Sequence, residues 1–457
     1  MQREAMLSQL RNGSFDIVVI GGGATGLGIT LDATTRGYRT ALLERFDFGS
    51  GTSSRSTKLV HGGVRYLRQG NIGLVRDALR ERRRLLRNAP HCVHRLPFVI
   101  PTFSFFETAY YRTGLAAYDL LAGRDDFPNA GTLGRFAVRD AIPGINKDRL
   151  RGGVRYFDGQ FDDARLCVDL ARTAAEHGAT LLNYAEVVGV ERGAVTVRVD
   201  GETLGLSAKV VINAAGPFTD SVRRLADADA APMVAASRGS HIVLPLRFLG
   251  GETALMVPKT PDGRVLFAIP WHGVAVVGTT DIPMDAPVAD PTATDAEIDY
   301  ILETLNPYLA HPATRGDILS TFAGIRPLVS NPNASNTAAL SRDHTIVVDG
   351  TLLTITGGKW TTYRKMAEDA VDRAATIADL PAQPCKTADL PIIPPTDVDG
   401  ERLHPDLPIT GGHVRRAVDD EMAVTADDVL SRRTRCALLN AAATDAIRPT
   451  VEAMMRA

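Results

Sequence analysis

The run Phe15 to Glu44, FDIVVIGGGATGLGITLDATTRGYRTALLE, constrains the fold more than any other part of the chain. It opens with Phe15-Asp16-Ile17-Val18-Val19-Ile20, a short apolar run rich in β-branched residues, which predicts a strand. Gly21-x-Gly23-x-x-Gly26 follows, with Gly28 just beyond, and leads into a helical pattern that continues through Arg36 and stops at Gly37. A second apolar run, Thr40 to Leu43, ends on Glu44, 18 residues past Gly26. Strand, glycine turn, helix, strand and acid in this order make a dinucleotide site. The glycines allow a tight turn and a close backbone approach to a pyrophosphate at the helix N-terminus, and the acid accepts hydrogen bonds from ribose hydroxyls.

Beyond this unit, the chain of 457 residues has room for two or three domains. Gly49 to Lys58, GSGTSSRSTK, is a hydroxyl-rich loop suited to phosphate or ribose, and it runs on into LVHGGVRYL (59–67). An amphipathic helix is expected over 71–89, with Ile72, Val75, Leu79 and Leu86 on one side and Arg82-Arg83-Arg84 on a solvated face. Residues 103–124 gather aromatic side chains in a chain only 6% aromatic, which implies core packing or, alternatively, a segment that dips into a membrane surface. A helix over 159–178 leads to strand-like runs at 179–182 and 185–190. Lys209 to Pro217 predicts another buried strand, ending on small residues against which a cofactor can lie.

Residues 237–281 change character. His241 to Leu244, Ala254 to Val257, Arg264 to Trp271 and Val274 to Thr280 are short strands, the last three separated by Pro261-Asp262-Gly263 and His272-Gly273, which predicts an antiparallel meander. A helix near 295–305 follows, and then Ser320 to Leu328. Two more strands, 345–348 and 352–356, reach Gly357-Gly358-Lys359 and a helix from Trp360 to about Ala378, a second strand–glycine–helix junction suited to negative charge. With no second G-x-G-x-x-G, a separate nicotinamide domain is not expected. Net charge −2 gives no general attraction to nucleic acid, and Cys92, Cys167, Cys385 and Cys436 lack the spacing of a metal site or disulfide framework. The first dozen residues carry no apolar run of a secretory signal, and no stretch is long enough to span a membrane.

GGGATGLG, GTSSRSTKLVHGGVRYL, INAAGPFTD, GSHIVLP, AGIRPL, SRDHTIVV and GGKWTTYRKMAEDAV, in this order, resemble the FAD-dependent glycerol-3-phosphate dehydrogenase family over roughly residues 14–380. HGGxRYL and GGKxTTYR are the most specific of these, and YFDGQFDDARL (156–166) is similar to the mitochondrial-type branch. The resemblance implies a D-amino-acid-oxidase-like flavoprotein: an α/β, Rossmann-like FAD-binding domain, an α+β substrate domain with an antiparallel sheet above the flavin, and a small helical C-terminal tail. The corresponding division is a discontinuous FAD-binding domain at 14–100, 155–230 and 342–380, a substrate domain at 101–154 and 231–341, a Pro-rich linker at 381–411 and a helical domain at 412–457. The family's C-terminal domain is usually larger than the segment found here, although HVRRAVDDEM and TADDVLSRRTR resemble its last helices. That departure bears on oligomer interface and membrane docking more than on chemistry.

The implied reaction oxidises C2 of sn-glycerol 3-phosphate to dihydroxyacetone phosphate, with electrons passing to a quinone or other acceptor at a membrane. By motif, Gly21, Gly23, Ala24, Thr25, Gly26, Glu44, Arg45, Thr52, Ser53, Ser54, Lys58, His61, Gly62, Val187, Ala215, Gly216, Gly357, Gly358, Lys359 and Thr361 fall at FAD. Arg65, Tyr66, His241, Arg326, Arg342 and Lys359 fall at the substrate. Arg65, Arg326 and Arg342 offer forked donors to a phosphate, and Lys359 a point charge that also suits the reduced flavin. An arginine is too weak an acid to serve as the base, so His241 is the first candidate and His61 the second. An oxygen-using oxidase, a dehydrogenase of another polyol phosphate such as erythritol 4-phosphate, and a flavin-bearing electron-transfer subunit are the alternatives. The four motif cations argue against the last. The expected setting is cytoplasmic, peripheral on the inner face of the cytoplasmic membrane, with a homodimer left open.

Overall fold

The structure is a computed structural model, and it describes residues 1–63, 71–123, 127–261, 263–330 and 343–456. The apolar run after Ser14 becomes β1 (Ser14–Ile20), whose Ile17, Val18 and Val19 are buried on both faces, as befits the middle of a parallel sheet. β1 lies between β2 (Thr40–Leu43) and β10 (Glu202–Asn213), with β7 (Thr180–Leu182) beyond β2 and β18 (Leu352–Gly357) beyond β10, all five parallel. β17 (His344–Asp349) closes the edge antiparallel to β18. The first half of β10 instead pairs with β9 (Ala194–Val199), which turns back onto β8 (Ala185–Glu191). Helix Ala24–Thr35 packs between helices Asp163–Glu176 and Tyr363–Ile377. Gly28 makes this possible, because a Cβ there would come within 2.7 Å of the Tyr363 ring.

The second sheet contains the expected meander: β12 (Ala254–Val257), β13 (Leu266–Trp271), β14 (Val274–Gly278) and β11 (Val234–Pro245) are antiparallel neighbours. His272 and Gly273, both with positive φ, make the two-residue turn between β13 and β14. β16 (Ser320–Val329) and β15 (Ile282–Met284) flank β11 on opposite sides. On the far side β12 meets β4 (Val93–Thr102) in a parallel pairing, followed by β6 (Gly152–Phe161) and β3 (Leu59–Val60), with β5 (Gly131–Gly134) also on β6. β4 and β6 thus belong to this sheet, whereas the division by sequence placed 93–100 and 155–161 with the nucleotide domain. Their Leu96, Phe98, Ile100, Val154 and Tyr156 share a core with Val243, Ile269 and Trp271. For the same reason the helix expected from 159 starts only at Asp163, after Asp162 has capped it.

Three other expectations change. Arg82 is inside, not on a solvated face: its guanidinium pairs with Asp158 at 2.7 Å and stacks over Phe127, while Ile72 is half exposed. The segment 381–411 is strapped to the nucleotide domain and does not behave as a free linker, since Ile392 N–H donates to Asn88 O (2.7 Å) and the Thr387 hydroxyl to Asp32 (3.2 Å). Within the aromatic segment, helix Phe105–Ala122 buries Leu115, Tyr118 and Ala122 but leaves Phe105 and Phe106 78% and 84% exposed, so core packing fails over its first turn. The C-terminal helices Gly411–Asp419, Cys436–Leu439 and Ala441–Arg456 pack Val414, Cys436 and Val451 into the second sheet's core. Among the described residues no helix is long and apolar enough to cross a membrane.

Candidate active site

At the end of β1 the chain turns through Gly21, whose φ of +109° belongs to glycine. A Cβ on Gly26 would lie 1.8 Å from Gly21 O, so helix Ala24–Thr35 can pack this close to the turn only with glycine there. Gly22 N–H donates to Glu44 at 2.6 Å, and the other carboxylate oxygen of Glu44 accepts from Phe46 N–H at 2.7 Å. These two bonds aim the carboxylate across the turn, and burial pushes its pKa up. Ala215 and Gly216 lie against the same turn: a Cβ on Gly21 would be 3.0 Å from Ala215 Cα, and Gly216 has φ +56°. Ser53 comes in from the hydroxyl-rich loop, accepting from Ala24 N–H (2.9 Å) and, through its carbonyl, from the Trp360 indole (2.8 Å). Arg45 leans over Phe46 and Phe218 beside the turn, and Val187 sits at a bulge in β8.

Lys58 departs from its expected role at the cofactor. Its fully buried ammonium donates to Ser54 O (2.7 Å) and to both oxygens of Asp163 (2.8 and 3.0 Å), which uses all three of its protons. It therefore pins the loop to helix Asp163–Glu176 and has no donor left for a ligand. Thr52 extends the brace to the second sheet by donating to Ile325 O at 2.5 Å.

On β11 and β16 the antiparallel register places Ser237, Gly239 and His241 on one face with Arg326, Gly324 and Phe322 opposite them. This face meets the loop, since a Cβ on Gly324 would touch Arg55 O at 2.9 Å. His241 is 2% exposed and stacks on Phe322, ring centroids 4.6 Å apart. Its Nε2 is 2.9 Å from the Thr57 hydroxyl, and its buried Nδ1 has no hydrogen-bond partner among the described residues. Burial, Arg326 and Lys58, in that order, hold the imidazole well below the usual histidine range, so it is neutral at pH 7. Arg326 lies across Gly239, where a Cβ would meet the guanidinium at 2.4 Å. It donates to Thr280 O (3.1 Å), Thr279 Oγ1 (3.1 Å) and Asp281 (3.4 Å).

At the second junction, Gly357 and Gly358 have φ of +79° and +74°, and Lys359 opens the turn Trp360–Thr362. Thr361 Oγ1 accepts from His61 N–H at 3.1 Å, and Gly62 N–H donates to the Tyr118 hydroxyl at 2.8 Å. The HGG segment is therefore fixed between this junction and helix Phe105–Ala122. Arg65, Tyr66 and Arg342 lie outside the described residues. Sequence reasoning missed Thr57, Asp163, Phe322 and the Thr279–Asp281 seat of Arg326. Thr57 stood within the GTSSRSTK loop and Asp163 within QFDD, but nothing local to either motif announces a partner on another domain.

The glycine turn, the Glu44 carboxylate bonded across it and the two positive-φ glycines opposite fit a flavin dinucleotide laid along the sheet's end. Comparison with known proteins agrees. Residues 16–364 match the family model described as FAD dependent oxidoreductase, and residues 362–457 match the C-terminal domain of alpha-glycerophosphate oxidase. The second match carries the likeness past residue 380, to the end of the chain. The mitochondrial glycerol-3-phosphate dehydrogenase of Rattus norvegicus is 40% identical over 99% of this chain and 72% of its own length. The mitochondrial glycerol-3-phosphate dehydrogenase SDP6 of Arabidopsis thaliana is 46% identical over 86% of this chain and 66% of its own. Among solved structures, the glycerol-3-phosphate dehydrogenase of Bacillus halodurans complexed with FAD superposes with a TM-score of 0.78, at 27% identity over 99% of this chain and 92% of that one.

Proposed function

The chain belongs to the FAD-dependent oxidoreductases, in their glycerol-3-phosphate dehydrogenase branch, and on that premise we propose that it oxidises C2 of sn-glycerol 3-phosphate and delivers the electrons to a quinone. The observation that carries this reading is the shared sheet face on which a neutral buried His241 and the braced Arg326 stand together, above the loop that borders the dinucleotide turn. Gly21, Gly23, Ala24, Thr25 and Gly26 would hold the pyrophosphate, Glu44 the ribose, and Gly357, Gly358 and Lys359 the flavin end. Bound FAD supplies a two-electron acceptor for the C2 hydride at N5 of its ring. The residues of the chain do the rest. His241, unprotonated at neutral pH, takes the hydroxyl proton of the alcohol. Arg326 provides a fork for phosphate, with Lys359 as a further cation and Arg65 and Arg342 as motif-based additions. His61, tied to Thr361, stands near the flavin end and is the alternative base.

A specific surface supports a membrane-bound acceptor. Phe105, Phe106 and Tyr110 project from one helix and Phe136 from the next helix along the chain, Arg135–Ala141, where Arg139 leans on Phe136. Exposed aromatics beside arginines suit the headgroup boundary of an anionic bilayer. Turnover with sn-glycerol 3-phosphate should reduce a short-chain ubiquinone analogue while releasing little hydrogen peroxide in air. A stoichiometric peroxide yield, undiminished by added quinone, would instead mark the chain as an oxidase.

A further inference from the structure

We propose that the C-terminal segment is a latch on the dinucleotide turn, with Arg433 as its positioning residue. Asp428–Arg433 is a short, wide helical turn, and the Arg433 side chain at its end is completely enclosed. Its guanidinium forks onto the carboxylate of Asp47, itself fully buried in the nucleotide domain, with one Nη2–Oδ1 bond of 2.9 Å and a second through Nη1, and Nη2 also donates to Glu421 O at 2.7 Å. Arg432 adds a bond to the same carboxylate at 2.5 Å, and Asn183 adds another at 3.0 Å. These cations hold Asp47 ionised despite its burial.

Asp47 occupies a mechanically sensitive place. Glu44, three residues before it, bonds Gly22 N–H, and Gly49, two residues after it, donates to Gly22 O at 2.9 Å. Between them Phe48 is fully buried against Gly22, where a Cβ would come within 3.0 Å of the ring. The segment 44–49 therefore clasps Gly22 by both its N–H and its carbonyl, and the side chain at its centre is gripped from the C-terminal helices. Both ends of the chain converge on this anchor, because the Arg3 guanidinium donates to Asn183 Oδ1 (2.8 Å) and Asn183 Nδ2 donates to Met422 O (2.9 Å). Without Arg433 a buried carboxylate loses its bidentate partner, and the clasp that aims Glu44 loosens. Arg433 does not reach the sheet face of His241 and Arg326, so its loss acts on cofactor retention and leaves the chemical step intact.

The test uses FAD release from diluted holoenzyme, followed by the rise in flavin fluorescence. Arg433→Met should speed release by roughly tenfold or more, while kcat measured with excess FAD stays within about twofold of wild type, since no reacting group is touched. Arg433→Lys keeps the charge but loses the fork, and should fall between the two. If Arg433→Met yields no soluble holoenzyme, Arg433→Lys alone carries the comparison. Glu421→Gln serves as the control, because its side chain ties the tail to Arg165 on helix Asp163–Glu176 and not to Asp47. It should lower the melting temperature and leave FAD release unchanged. Equal acceleration in Glu421→Gln and the Arg433 variants, or wild-type release in Arg433→Lys and Arg433→Met, would overturn the latch.

Discussion

Arg326→Ala should lower kcat/KM for sn-glycerol 3-phosphate by roughly one to four orders of magnitude. The estimate follows from the ~2–5 kcal/mol typical of removing one charged partner from a desolvated pair, at ~1.36 kcal/mol per decade. The geometry explains why the guanidinium is ready to act. It is laid over the bare backbone of Gly239 and held through its terminal nitrogens by Thr279, Thr280 and Asp281, so little conformational entropy remains to be lost when an anion arrives. Asp281 is shared with Arg264 at 3.3 Å and with the Ser237 hydroxyl, which steadies the seat further. Arg326→Lys retains the charge but cannot span the same acceptors, and should remain well below wild type. Glycerol, which has no phosphate, should be a poor substrate and lose far less from the mutation. Equal proportional losses on the two substrates would move Arg326 from the phosphate to the C2 hydroxyl or the flavin.

His241→Ala should slow flavin reduction by about 10²–10⁴-fold with substrate affinity nearly unchanged, because a proton acceptor matters chiefly in the transition state. Its pH behaviour follows from its surroundings. Enclosed between Phe322 and Gly278, and near the Arg326 and Lys58 cations, the imidazole resists protonation, so its pKa lies well below the 6.5 of a free histidine. The competent, neutral form therefore persists as pH falls below 6.5, and the acid limb of kcat/KM, set by free enzyme, should appear lower than that. In the substrate complex the phosphate charge opposes both cations and should draw the limb in kcat upward. Folding stability has the matching sign. Below about pH 6.5 the unfolded chain protonates this residue before the folded one does, so its contribution to stability declines from there down to the folded pKa. A loss confined to KM in His241→Ala would leave His61 as the base.

The dinucleotide unit was legible because all its determinants are local. β-branched residues make β1 a strand, Gly21 supplies the positive φ of the turn, Gly26 packs onto the carbonyl of Gly21 just before it, and Glu44 lies at the end of the next strand. The meander was legible for the same reason, from alternation and turn residues at His272-Gly273. What was not legible depends on partners far along the chain. β4 pairs with β6 on one side and with β12 on the other, joining Thr102 to Gly152 and Phe98 to Ala254, and periodicity carries no record of which sheet a strand joins. Arg82 looked like one of three solvated cations until Asp158 supplied a buried partner, and Lys58 looked like a ligand until Asp163 took its protons. The C-terminal segment appeared as a small separate tail, although its Arg433 reaches a carboxylate 386 positions away. Ion pairs of this kind are chosen by tertiary packing, and a charged residue in a sequence shows its charge without its partner.

Anaerobic addition of sn-glycerol 3-phosphate to the FAD-loaded protein isolates the oxidation of the substrate, because it requires neither a particular acceptor nor a membrane. The oxidised flavin's visible absorbance should bleach with about one equivalent of substrate per flavin, leaving dihydroxyacetone phosphate. An absorbance that stays unchanged under excess substrate, in protein whose flavin dithionite still reduces, would contradict the proposed oxidation.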